Sequence, residues 1–101
     1  GEKSHWHRVI DAVEVWHWYA GCPLLLRSSA NGVSEETHIL GADFAQGQLP
    51  QAVIEANHWQ AAEPVSNRAE DEDWVLVGCT VAPAFDFAKF EMAPPDWKPG
   101  Q

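Results

Sequence analysis

The chain has 101 residues, enough for one hydrophobic core and too few for two. Six tryptophans stand out in an otherwise ordinary composition, and flat side chains in that number suit a packed aromatic interior or a ligand pocket. Fifteen Asp plus Glu against six Lys plus Arg give a net charge of -9, which argues against nucleic acid and anionic membrane surfaces as partners. No apolar run approaches the roughly 18 residues of a membrane helix, and nothing resembles a secretory signal. Gly1 stands where an initiator Met would, which points to removal of an upstream segment. Cys22 and Cys79 make neither a disulfide framework nor a C-x-x-C pair, so two reduced thiols in a cytoplasmic protein are expected.

Short β-branched and aromatic runs separated by turn residues run through the sequence. Residues 4–9 alternate His5 and His7 against Trp6 and Arg8. Residues 13–20 follow, closed by Gly21 and Pro23, and then residues 24–28. Asn31-Gly32 predicts a tight hairpin turn into a strand over 33–40, because both residues tolerate positive φ. Residues 41–50 read as a loop with one helical turn around 42–45. Strands over 51–55 and 59–62 flank a turn at Ala56-Asn57. Residues 63–73 contain Pro64, Asn67 and four consecutive acids, and read as a solvated loop. Residues 74–81 read as a buried strand, apolar on both faces apart from Thr80. Phe85, Phe87 and residues 88–92 supply a last edge segment of a domain spanning 1–92. Residues 93–101, with three prolines, form a surface tail. The pattern is all-β, seven or eight short strands of the sandwich or jelly-roll kind with little helix.

Residues two apart on a strand share a face, so His5 and His7 point the same way. With Glu14 from the next strand they form a facial N,N,O set suited to a divalent ion such as Fe, Mn, Ni, Zn or Co. The concave interior of a barrel is where such a set could operate. The competing reading is a hydrogen-bonded trio that only satisfies buried polar groups. Trp16 and Trp18 share parity with Glu14, either as walls for a flat or sugar-like ligand or as core packing. His17 is out of phase and exposed, and His38 reads as surface. Trp59 and Trp74 read as core or interface, Cys79 as an inert thiol in mid-strand, and Phe85 and Phe87 as closing one barrel mouth. No P-loop, Gly-x-Ser-x-Gly, Gly-x-Gly-x-x-Gly or His-Glu-x-x-His motif occurs.

His5-Trp6-His7, six residues, Glu14, six more and Gly21 resembles the first cupin motif. The second cupin motif is Pro-x-Gly-x-x-His, and residues 55–60 stand in its place. There Glu55 replaces the proline, Asn57 the glycine, and Gln60 the metal-binding histidine. The segments SHWHRV, EVWHWYAG, LPQAVI, HWQAA and WVLVGCTVAPAFDFAKFE resemble the cupin subfamily long catalogued as a domain of unknown function. That resemblance implies a double-stranded β-helix, or jelly roll, similar to germins and dTDP-sugar epimerases and paired as a homodimer. Family members typically carry further strands ahead of the His-x-His, which this chain lacks, so the barrel is expected to be incomplete or completed by a partner.

Three functions follow. The first is a small-molecule enzyme in which His5, His7, Glu14 and Gln60 hold one divalent ion as Lewis acid. Trp16, Trp18, Gln60, Cys79 and Phe85 then line the pocket; a cupin isomerase-like Gln ligand is compatible with Gln60, and His58 is an alternative ligand. The second is a metal-free ligand-binding or epimerase-like site, in which a histidine removes a proton and Glu14 orients it, with catalytic His5, His7 and Glu14. The third is a structural or assembly domain that lends strands to a partner.

Overall fold

The computed structural model describes residues 6–65, 74–82 and 90–100; His5, Phe85, Phe87 and the four-acid run lie outside them. Within those residues the strands are β1 (His7–Val9), β2 (Val13–Gly21), β3 (Leu24–Ser29), β4 (Glu36–Leu40), β5 (Gln51–Ile54), β6 (Trp59–Pro64), β7 (Val75–Ala82) and β8 (Phe90–Met92). A single 3-10 turn, Phe44–Gln46, lies near the expected helical turn. Five strands form one sheet in the order β4-β3-β6-β1-β8, and three form a second in the order β5-β2-β7. The strand pairs are antiparallel. The fold is therefore all-β, a two-sheet jelly roll.

Alternation places the core. Glu14 and Trp16 of β2 turn inward and are buried, and their cross-strand partners Ile54 and Ala52 turn inward with them. From the larger sheet Leu24, Leu26, Leu40 and Ala62 meet them. Leu26 is fully buried, so this cluster joins the two sheets at the centre of the molecule. The inner face of the larger sheet also carries a polar row: Ser28 and His7 both lie opposite Gln60 across the strands.

Two turns bring these strands into place. Asn57 has φ 66°, the left-handed conformation that glycine would otherwise supply, and its N–H bonds the Val9 carbonyl at 2.7 Å. Gly21 has φ 103° at the end of β2, where any Cβ would lie 2.5 Å from the Trp74 carbonyl oxygen.

Three expectations differ from the structure. The Asn31-Gly32 turn is not a two-residue hairpin: β4 begins at Glu36 and pairs with Ser28, leaving a longer loop. The Asn31 side-chain oxygen accepts the N–H groups of Val33 and Ser34 at 2.8 and 3.0 Å, and Gly32 alone of the pair takes positive φ. Next, β7 is not a buried strand. It sits at the edge of its sheet, paired only with β2 among the described residues, so Leu76 is 56% exposed, and Trp74 just ahead of it is 59% exposed. Val75 and Val77 pack on the core, while Leu76 on the other face is exposed among the described residues.

The C-terminal segment, finally, does more than lie on the surface. It forms no strand after Met92, yet Ala93 is buried and its N–H bonds the Trp6 carbonyl at 2.9 Å. Trp97 packs 4.7 Å from the Trp59 ring and 5.9 Å from Trp6, and the Gly100 N–H bonds the Gly32 carbonyl. Residues 93–100 thus cover a second apolar cluster of Trp6, Ala61 and Ala93 on the outer face of the larger sheet.

Candidate functional site

A chain of buried polar side chains crosses from one sheet to the other. The Trp16 indole Nε1–H donates to Gln60 Oε1 at 2.7 Å, and Gln60 Nε2 donates to Glu14 Oε1 at 2.9 Å. Strand parity explains the meeting: Glu14 and Trp16 are two apart on β2, and Gln60 faces them from β6 in the opposing sheet. All three are at least nine-tenths buried, and Gln60 is 1% exposed. Burial of the indole N–H and of the amide is tolerable because each has a partner.

The third strand adds a thiol. Cys79 of β7 lies directly opposite Trp16, diagonal to Glu14. Burial pushes its pKa up to about 12, aided by a hydrogen bond to Glu14 and by that carboxylate's negative charge. The residue reaches solvent while its sulfur lies against Glu14, so Cys79 marks a rim where the buried cluster meets water. Both cysteines are free thiols. Cys79 does not lie in a buried strand as its apolar run suggested: the strand is a sheet edge, and local burial with the neighbouring carboxylate favours the protonated thiol.

The other site residues are placed as follows. His7 is half-buried, lies across the strands from Gln60 and stacks on Phe90 with ring centroids 5.4 Å apart. Trp18 packs against the core and donates its Nε1–H to the Cys22 carbonyl at 2.9 Å. His17 lies on the opposite face of β2, beside Thr80 at 3.2 Å and Gln51 at 3.3 Å. His38 is half-buried on β4. His58 precedes β6, in the turn closed by its own N–H to the Glu55 carbonyl, so the extension needed to swing it into the Gln60 position is not present. His5 and Phe85 fall outside the described residues. Ser28, buried beside Gln60 in the polar row, had no sequence signal beyond its parity with Leu24 and Leu26.

A divalent ion held by Glu14 and Gln60 needs an oxygen from each. The indole N–H is a donor only, so the amide atom it meets must be the Gln60 oxygen, and the atom beside Glu14 is then the amide nitrogen. An amide N–H₂ is not a ligand, so the pair as held does not fit one ion between them. Among the described residues no three His, Cys, Asp or Glu side chains gather as a metal-binding group, and His5 lies outside that set.

Two clefts on the described surface lie away from this chain of bonds. One of about 230 Å³ sits under the C-terminal segment between Trp6, Arg27 and Trp97. The other, about 560 Å³, opens between β4 and β5 along Ile39, Leu49 and Val53. Among the described residues no helix is long and apolar enough to cross a membrane.

Two antiparallel sheets closing on a polar cluster define a jelly-roll domain of the cupin kind. The chain belongs to the family described as Cupin superfamily (DUF985), whose model matches residues 1–93. It is similar to the crystal structure of a Shewanella oneidensis protein, with 33% identity and a TM-score of 0.78 over 92% of this chain and 55% of that one. It is also similar to a hypothetical protein from Leishmania major, with 26% identity and a TM-score of 0.77 over 88% of this chain and 56% of that one. The chain thus spans about half the length of these two solved proteins. No curated protein matches it.

Proposed function

We propose that this domain binds a small polar molecule between its sheets and that Glu14 is the group that recognises it. One observation carries this reading. Glu14 is 8% exposed and is met by the neutral donors of Gln60 and Cys79, with no cationic side chain paired to it among the described residues. A carboxylate taken out of water costs free energy unless it is paired, and two neutral hydrogen bonds offset only part of that. A ligand offering N–H or O–H groups supplies the remainder, entering past Cys79 at the rim. His7, across the strands from Gln60, is the nearest group in the polar row able to move a proton, which makes the epimerase-like version of the site chemically coherent.

The same reading has the domain in a reducing, cytoplasmic setting and paired as a homodimer. The pairing surface is the outer face of the smaller sheet, where Tyr19, Val53 and Leu76 are exposed. The binding test is a two-dimensional amide NMR titration of metal-free protein with small amines, sugars and sugar phosphates. At least one class should shift resonances of β2, β6 and β7, and Glu14→Gln should weaken that binding about tenfold or more. Ligands that bind equally well to Glu14→Gln would overturn the assignment.

A further inference from the structure

We infer that Trp16 clamps the Gln60 amide, making Gln60 a positioning residue for Glu14 and denying the site a metal ligand at this position. This goes beyond the ligand-binding reading and departs from what the cupin fold implies, since Gln60 occupies the place of the family's metal-binding histidine.

The orientation of the amide is determined twice. At the Trp16 end, reversing it would set an N–H₂ group against an indole N–H, two donors with nothing to accept. At the Glu14 end, reversal would bring a carbonyl oxygen to 2.9 Å from a carboxylate oxygen, two acceptors with nothing to donate. Both contacts are buried, so water cannot repair either mismatch. Gln60 therefore keeps its only ligating atom turned to Trp16 and its donor turned to Glu14. Trp16 matters because indole has no acceptor form; a tyrosine or histidine there could meet either end of the amide and would leave the Glu14 contact alone to fix it.

The direct test is a Co(II) titration read by d–d absorption, comparing wild type with Gln60→Ala, Gln60→His and Trp16→Phe. If Gln60 is not a ligand, Gln60→Ala leaves the Co(II) affinity unchanged. Trp16→Phe frees the amide oxygen and Gln60→His supplies an imidazole, so each should bind Co(II) about tenfold or more tightly than wild type. A loss of about tenfold in Gln60→Ala, or no gain in either of the others, overturns the clamp. A second measurement needs no metal and covers the case in which Trp16→Phe folds poorly. The Trp16 indole N–H should be protected from hydrogen exchange in wild type and lose that protection in Gln60→Ala, whereas equal protection refutes it. These readouts are separate from the ligand titration, so failure here leaves ligand binding at Glu14 to stand or fall on its own.

Discussion

Replacing Gln60 by leucine removes the link between the sheets while keeping the position filled. The side chain is 1% exposed, so what it leaves behind cannot turn to water. Two groups lose their partner at once: the Trp16 indole N–H at 2.7 Å and the Glu14 carboxylate oxygen at 2.9 Å. An orphaned buried donor costs about 1–3 kcal/mol, and a charged acceptor more. Leucine returns part of this through apolar burial, leaving an expected loss of about 3–5 kcal/mol. A domain of this size is stable by about 5–15 kcal/mol, so the variant loses a large share of its stability and its Tm falls by more than about 12 °C.

Guanidinium unfolding followed by tryptophan fluorescence measures this, with an unchanged m-value showing that the two end states are comparable. The double variant Trp16→Phe with Gln60→Leu should be less damaging than the sum of the singles, by about 0.5–3 kcal/mol, because the second change removes a group the first has orphaned. A loss below about 1 kcal/mol for Gln60→Leu would place it with ordinary surface changes and refute the buried link.

The remaining predictions concern the rim and the turns. The Cys79 thiol should alkylate slowly at pH 8–9 and speed up only toward its raised pKa of about 12. Removing the carboxylate in Glu14→Gln should move that midpoint down, and an unmoved midpoint would mean Glu14 is not the neighbour that matters. Because the folded pKa is raised above that of the unfolded thiol, the unfolded chain loses its proton first. Stability therefore falls as pH rises from the ordinary thiol value of 9.0 toward about 12, and Cys79→Ser should flatten that fall in alkaline denaturation curves. Gly21→Ala meets both a positive φ and a carbonyl at 2.5 Å, so it should cost more than about 2 kcal/mol by the same unfolding assay. Asn57→Gly should be neutral within about 0.5 kcal/mol while Asn57→Val loses about 1–2 kcal/mol or more, and equal stabilities would deny the left-handed turn its role.

What the sequence made legible follows from what alternation can report. Period-two burial in β2 and the turn residues at Gly21 and Asn57 are local signals, and the strands over 13–21, 24–29, 51–54 and 59–64 lie close to where those signals put them. Two of the differences are questions of what lies on the far side of an element, and the third is local. The run of valine and leucine in β7 is as apolar as a central strand, but only sheet order shows that among the described residues β7 pairs with β2 alone. The prolines after Ala93 do exclude pairing, but one tryptophan four residues on is enough to dock the segment over Trp59. Asn31 can satisfy a turn with its backbone or its side chain, and here the side chain took the backbone N–H groups and the hairpin widened.

The site carries the same lesson one step further, into chemistry. Gln60 is conspicuous in sequence because of the place it fills, but an amide is both donor and acceptor, and the letter alone does not say which end faces Glu14. That choice is made by Trp16, 44 residues away in the other sheet, through the one property of indole that admits no alternative. A histidine at position 60 would carry one acceptor nitrogen and one N–H into the same two contacts; a glutamine likewise inherits its role from the group across the core. Membership of the cupin superfamily thus fixes the scaffold here and leaves the chemistry to the residues that line it.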